Sequence, residues 1–224
     1  GQYYRLMMVH IKKVLGDIKR VYPAHDAKAG YELAGFVWFQ GWNDMVDRGT
    51  YPNRAQPGGY AQYSEVLVHF IRDVRKDLSA PKLPFVIGVM GVGGLVEKYG
   101  PDQKRYAGIH SEFGKAMAAP AKLSEFKGNV TAVFTENYWD HQLSELSSRM
   151  GKVNAKRRSL GNDKTLSAEE RRKLVEDYKA DLFTKEEIRI LETGISNAAY
   201  HYLGSSKILG QIGKAFADAQ AKMQ

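Results

Sequence analysis

Gly35-Phe36-Val37-Trp38-Phe39-Gln40-Gly41-Trp42-Asn43-Asp44 is the stretch on which the fold turns. Four apolar residues run without a break, then stop at an amide, a glycine and, after Trp42, an Asn-Asp pair. A continuous apolar run suits a strand buried on both faces of a parallel sheet, where the usual in-out alternation is lost. Phe85-Val86-Ile87-Gly88-Val89-Met90 and Val130-Thr131-Ala132-Val133-Phe134 read the same way. Helical patterns over 60–78 and 102–118 separate these runs, and a last one covers about 203–221. Strands alternating with helices predict an α/β domain: an open parallel sheet with flanking helices.

Outward from this core, Tyr4, Met7, Met8, Ile11, Leu15 and Ile18 recur at helical spacing and predict a first helix ending near Val21-Tyr22-Pro23. A domain of this class more naturally opens on a strand, so the chain is expected to start partway through the fold. Residues 48–60, with Pro52, Pro57, Gly58 and Gly59, read as a surface loop beside the Asn43 motif. The stretch 142–192 is highly charged and of mixed sign. Ser167 with Glu170, and Thr184 with Glu187, have capping-box spacing, so this stretch is read as a surface-lying helical insertion within a single domain of residues 1–224. A partner-binding arm is the alternative.

Composition narrows the function. The formal charge is +8, but basic residues are spread along the chain and interleaved with acids, which favours a solvated face over a nucleic-acid site. There is no cysteine, which excludes disulfides, thiolate metal sites and a cysteine nucleophile. The six histidines show no tight ligand spacing, so neither a metal nor another cofactor is expected. No apolar run approaches the roughly 20 residues that span a bilayer. Arg5, Lys12, Lys13 and Asp17 break up the start of the chain, so no signal peptide is read there.

In parallel sheets ligands bind beyond the carboxyl ends of the strands, so polar residues directly after a buried strand point to the site. Gly41 permits a tight turn, Asn43 can offer an amide donor to a developing oxyanion, and Gln40 is a second donor. An ordinary Asn-Asp turn after a strand is the plain alternative. The second motif is Asn197-Ala198-Ala199-Tyr200-His201-Tyr202-Leu203-Gly204, just before the last helix. A histidine there is placed to act as general base and then general acid; a structural histidine capping the helix is the alternative. Asp140 and His141 follow the third strand and Trp139 precedes them, with packing the favoured role for the indole. Gly91-Val92-Gly93-Gly94 reads as a plain turn.

Gly41-Trp42-Asn43-Asp44 resembles the third block of the SGNH hydrolases. The wider Val37-Trp38-Phe39-Gln40-Gly41 is similar to the W-x-Q-G strand end of the sialate O-acetylesterase-like carbohydrate esterases. Many of those have a glutamate where this chain has Trp42. The resemblance implies a flavodoxin-like fold and a serine acyl-enzyme mechanism on an acetylated carbohydrate, with His201 and Asn43 catalytic and Gln40, Gly41 and Asn43 binding the oxyanion and substrate. The aspartate common three residues before the histidine is Ala198 here, leaving Asn197 or Asp44 as support. No serine precedes Asn43. The family's serine block is therefore expected outside this chain, on a preceding segment or second polypeptide, and the uncovered sheet edge predicts association with it or a homo-oligomer. Family members are often exported; the compartment stays open. A non-catalytic carbohydrate-binding or interaction domain on the same scaffold is the alternative.

Overall fold

The computed structural model describes residues Gly1–Gln224. Its elements follow in the order α1 (Gln2–Gly16), β1 (Phe36–Trp38), α2 (Trp42–Val46), α3 (Ala61–Asp77), β2 (Phe85–Val89), α4 (Pro101–Lys104), α5 (Ala107–Ala118), β3 (Val130–Phe134), α6 (His141–Gly161), α7 (Ala168–Leu182), α8 (Lys185–Gly194) and α9 (Ser206–Ala221). The strands form one parallel sheet in the order β1-β2-β3, with Phe36 opposite Phe85 and Phe85 opposite Val130. This is the α/β architecture expected from the three apolar runs. Every residue of the central strand β2 is buried, which is why its sequence does not alternate. At the outer strand β1, Val37 is 44% exposed.

Helices cover both faces. Phe85, Ile87 and Val89 point into a core shared with Ile71 and Val74 of α3 and Phe113 and Met117 of α5. On the other face α9 lies over the sheet, and Gly88 lets it come close: a Cβ there would sit 2.6 Å from the rings of both Phe39 and Phe216. The first helix joins the α3 side, where Tyr4 Oη donates to Asp77 Oδ2 at 2.7 Å.

The charged stretch folds as α6, α7 and α8 around its own apolar cluster of Leu146, Val153, Val175, Phe183 and Leu191. Both capping boxes are formed, at Ser167/Glu170 and at Thr184/Glu187. Arg149 fastens the group, donating to Leu182 O at 2.9 Å and to Glu187 Oε1 at 2.5 Å.

Element boundaries moved in three places. The first helix stops at Gly16 because Asp17 adopts an extended backbone, φ −151° and ψ 82°, and a short turn Ile18–Arg20 follows. The pattern over 102–118 is two helices, broken at Arg105 and Tyr106. The last helix begins at Ser206 rather than near 203, because Tyr202, Leu203 and Gly204 have φ of 53°, 60° and 59° and no right-handed helix passes through such residues. No helix is long and apolar enough to cross a membrane.

Candidate active site

A cavity of about 570 Å³ opens at the carboxyl end of β1. The strand end supplies Phe39, Gln40, Gly41, Trp42 and Asn43; Met90 follows β2; Tyr200, His201 and Tyr202 come from the loop before α9, and Leu209 from α9 itself. Gln40, Gly41, Asn43 and His201, singled out separately in sequence, thus share one cavity.

The strand end is held by its carbonyl: Tyr63 Oη donates to Gln40 O at 3.2 Å, while the Gln40 side chain stays exposed. Gly41 is required for space more than for turning. Its φ of 161° is open to any residue, but a Cβ there would meet Phe113 Cε1 at 2.8 Å and Cζ at 2.9 Å. The short helix α2 then starts at Trp42 and presents Asn43 to the cavity. Asp44, the next residue, is turned by roughly 100° around the helix. It lines a separate cavity with Trp38, Tyr51 and Tyr63 and is not beside His201.

His201 sits in a closed loop. Ser196 N–H and Asn197 N–H both donate to Leu203 O, at 2.9 and 3.0 Å, and Leu203 N–H returns to Ala198 O at 3.2 Å. Asn197 Oδ1 accepts from Ala198 N–H at 2.8 Å, which fixes the orientation of the amide. The same oxygen lies 3.0 Å from His201 Nδ1. An amide oxygen only accepts, so the neutral ring carries its proton on Nδ1 and leaves the Nε2 lone pair free. That is the form a general base requires.

Tyr202 pins this loop to the sheet. Thr135 Oγ1 is 2.7 Å from Val89 O, a pure acceptor, so the threonine proton goes there. Tyr202 Oη, 2.7 Å from Thr135 Oγ1, must then donate to it, and itself accepts from Gly91 N–H at 2.9 Å. The relay runs from the residues after β2 through the phenol to the end of β3. Burial pushes the Tyr202 hydroxyl up, so it remains a neutral donor. Close by, Glu136 is raised first by burial and then by repulsion from Glu97.

Other residues of the sequence reading take structural positions. Trp139 is buried in the core beneath α9. Asp140 caps α6 by accepting from Leu143 N–H at 3.0 Å and pairs with Lys207 at 2.6 Å. Apart from these, His110 lies in α5 with Nδ1 2.7 Å from Tyr99 Oη, and burial lowers its basicity. No group of three or more His, Asp and Glu side chains converges as a metal site would require. None of the ten residues lining the main cavity is a serine, threonine or cysteine. Met90, Leu209 and the bond from Tyr202 to Thr135 escaped the sequence reading; each depends on pairing across the fold and leaves no local signal.

Fold and site together define an α/β protein, consistent with an SGNH-like fold, with a mainly apolar cavity carrying a few polar side chains at the carboxyl end of a parallel strand. Residues 16–119, a little under half of the chain, match the family model described as "Carbohydrate esterase, sialic acid-specific acetylesterase". The match supports a sialate O-acetylesterase-like family; it includes Gln40, Gly41 and Asn43 and ends before His201. No curated protein and no solved structure matches the chain.

Proposed function

We propose that this chain forms much of the active site of a carbohydrate O-acetylesterase, in which Asn43 and Gln40 hold the oxyanion and His201 moves the proton. The observation that carries the reading is the cavity itself: two exposed amide side chains and an imidazole with a free Nε2 share one opening at a strand end. Asn197 sets the tautomer but, being neutral, does not stabilise an imidazolium as a carboxylate would. The nucleophilic serine is assigned to polypeptide outside these residues, because the cavity lining offers no hydroxyl but phenols. The free edge of β1, immediately before the cavity-lining residues, is where such a segment would pair. On this reading α6 to α8 form a helical insertion in the esterase domain.

Hydrolysis of para-nitrophenyl acetate tests this, measured on the chain alone and joined to whatever its gene encodes upstream. The expected result is turnover in the longer protein that falls by about a hundredfold or more in His201→Ala. Equal rates in parent and His201→Ala would overturn it. The absence of a serine or threonine from the cavity also favours a second reading, a carbohydrate-binding domain without catalysis. Sugar binding with no ester cleavage in the longer protein would establish that one.

A further inference from the structure

We propose that the protein carries a second site, at the amino end of the sheet, that binds a phosphate dianion, either free or as a phosphomonoester. Its centre is Arg75 of α3, a residue only 7% exposed. Nε and Nη2 of the guanidinium are spent on the segments leading into β2 and β3. Both donate to Leu83 O, at 3.1 and 2.9 Å, and Nη2 also donates to Asn129 O at 3.0 Å and to Asn129 Oδ1 at 2.8 Å. The Phe126 ring, centred 5.3 Å from Cζ, packs beside the group. Nη1 makes no hydrogen bond within the protein and is not sealed from solvent. Arg75 lines a cavity of about 410 Å³, onto which that nitrogen is left to open.

The charge of Arg75 is what asks for an anion. All its acceptors are uncharged, so dipoles satisfy its N–H groups while the buried cation has no counter-ion in contact. Burial works against its basicity, and Glu125 is the acid that opposes this. Yet Glu125, the one carboxylate in the cavity wall, has both oxygens on Arg72, at 3.2 Å from Nε and 2.5 Å from Nη2. Lys76 adds a second cation to the wall, and neither it nor Arg75 takes part in an ion pair. Ser79 contributes a hydroxyl. The last carbonyls of α3 are already engaged: Val74, Arg75 and Lys76 accept from the N–H groups of Leu78, Ala80 and Ser79 at 3.0, 2.9 and 3.1 Å. Two unpaired cations and a hydroxyl suit a dianion, and phosphomonoesters, with a second pKa of about 6, are mostly dianionic above neutrality. A carboxylate would answer only one of the two charges. The cavity lies at the opposite end of the sheet from His201, so this site is independent of the esterase reading.

Calorimetric titration of the chain at low ionic strength and pH 7.5 tests the site, with inorganic phosphate, glucose 6-phosphate and the monoanion glucuronate as probes, and amide NMR shifts locate the binding. The expected result is saturable binding of the phosphates with shifts concentrated over residues 72–81 and 125–126. Affinity should fall by about fivefold in Lys76→Gln and recover in Lys76→Arg. Lys76 is exposed, so its loss leaves the fold intact, whereas Arg75 clamps two segments and is not the residue to replace. Lys185→Gln removes the same charge from an exposed position on α8 and should leave the affinity unchanged. Glucose 6-phosphate binding more tightly than phosphate would support the site and assign it to phosphomonoesters; the reverse order would support it and assign it to the free ion. No saturable phosphate binding up to about 10 mM, equal weakening in Lys76→Gln and Lys185→Gln, shifts elsewhere in the chain, or glucuronate binding as tightly as the phosphates would each overturn the proposal.

Discussion

Tyr202 Oη donates to Thr135 Oγ1 at 2.7 Å, and this one bond joins the histidine loop to the end of the sheet. The loop needs such a tie. Tyr202 and Leu203 both hold positive φ without being glycine, a conformation costing of order 1–3 kcal/mol per residue unless its surroundings enforce it. Tyr202→Phe keeps the ring but strands Gly91 N–H and leaves Thr135 Oγ1 only its bond to Val89 O, so it should destabilise the fold by about 1–3 kcal/mol. Urea unfolding measures this. Thr135→Val should cost a similar amount, and the double variant should cost less than the sum because both remove the same bond. Strict additivity would mean the two hydroxyls are not coupled.

Gly41 offers a separate test of how tightly the strand end is held. Phe113, which a Cβ at this position would meet, is fully buried, with the Tyr60 and Tyr63 rings centred 4.8 and 4.7 Å away. It has little room to retreat. Gly41→Ala should therefore lose about 1–3 kcal/mol, or a few degrees of melting temperature for a chain of this length. Adding Phe113→Leu should make the further loss from Gly41→Ala smaller. A melting temperature unchanged in Gly41→Ala would show that the turn relaxes instead.

The three-helix unit carries a pH dependence of known sign. Glu187 is held at about 2, against 4.5 for an ordinary glutamate, first by the Arg149 guanidinium and then by the Thr184 amide. A depressed carboxylate stabilises the fold fully above the ordinary value and loses that contribution as pH falls towards the folded one. Parent and Glu187→Gln should thus differ most in stability above about pH 4.5, with the gap closing by about pH 2. Denaturation curves at a series of pH values test this. A gap that persists undiminished at pH 2 would assign the difference to side-chain shape rather than charge.

What sequence disclosed and what it hid divide along range. The run from Phe85 to Val89 reads as a strand because burial on both faces removes alternation, and the capping boxes read directly because a hydroxyl and a carboxylate three residues apart make them. Gln40 and Asn43 are legible as cavity residues by the rule that ligands gather beyond strand ends. The last helix reads as starting near Leu203, because that side chain fits its apolar pattern and nothing local announces three successive positive φ values at Tyr202, Leu203 and Gly204. That conformation is imposed by Thr135 and Gly91, more than sixty residues away in the chain. Asp44 was grouped with the site because it adjoins Asn43 in sequence. On a helix that adjacency turns the carboxylate into the neighbouring cavity.

Asn197 gives the most direct probe of the proposed base. Its Oδ1 is committed twice, to Ala198 N–H at 2.8 Å and to His201 Nδ1 at 3.0 Å, so the amide acts as a template for one imidazole tautomer. Free histidine favours the Nε2–H form, in which the lone pair sits on the wrong nitrogen for a ring whose Nδ1 faces Asn197. Removing the template with Asn197→Ala should shift the neutral His201 ring towards Nε2–H, read from its two imidazole nitrogen resonances in labelled protein. Asn197→Asp restores an acceptor at the same distance and should return the Nδ1–H form. If the esterase reading holds, turnover in the longer protein should follow the same order, low in the alanine variant and recovered in the aspartate one. A tautomer that stays put in Asn197→Ala would assign the orientation of the ring to Tyr200 instead, whose ring centre lies 4.4 Å from it.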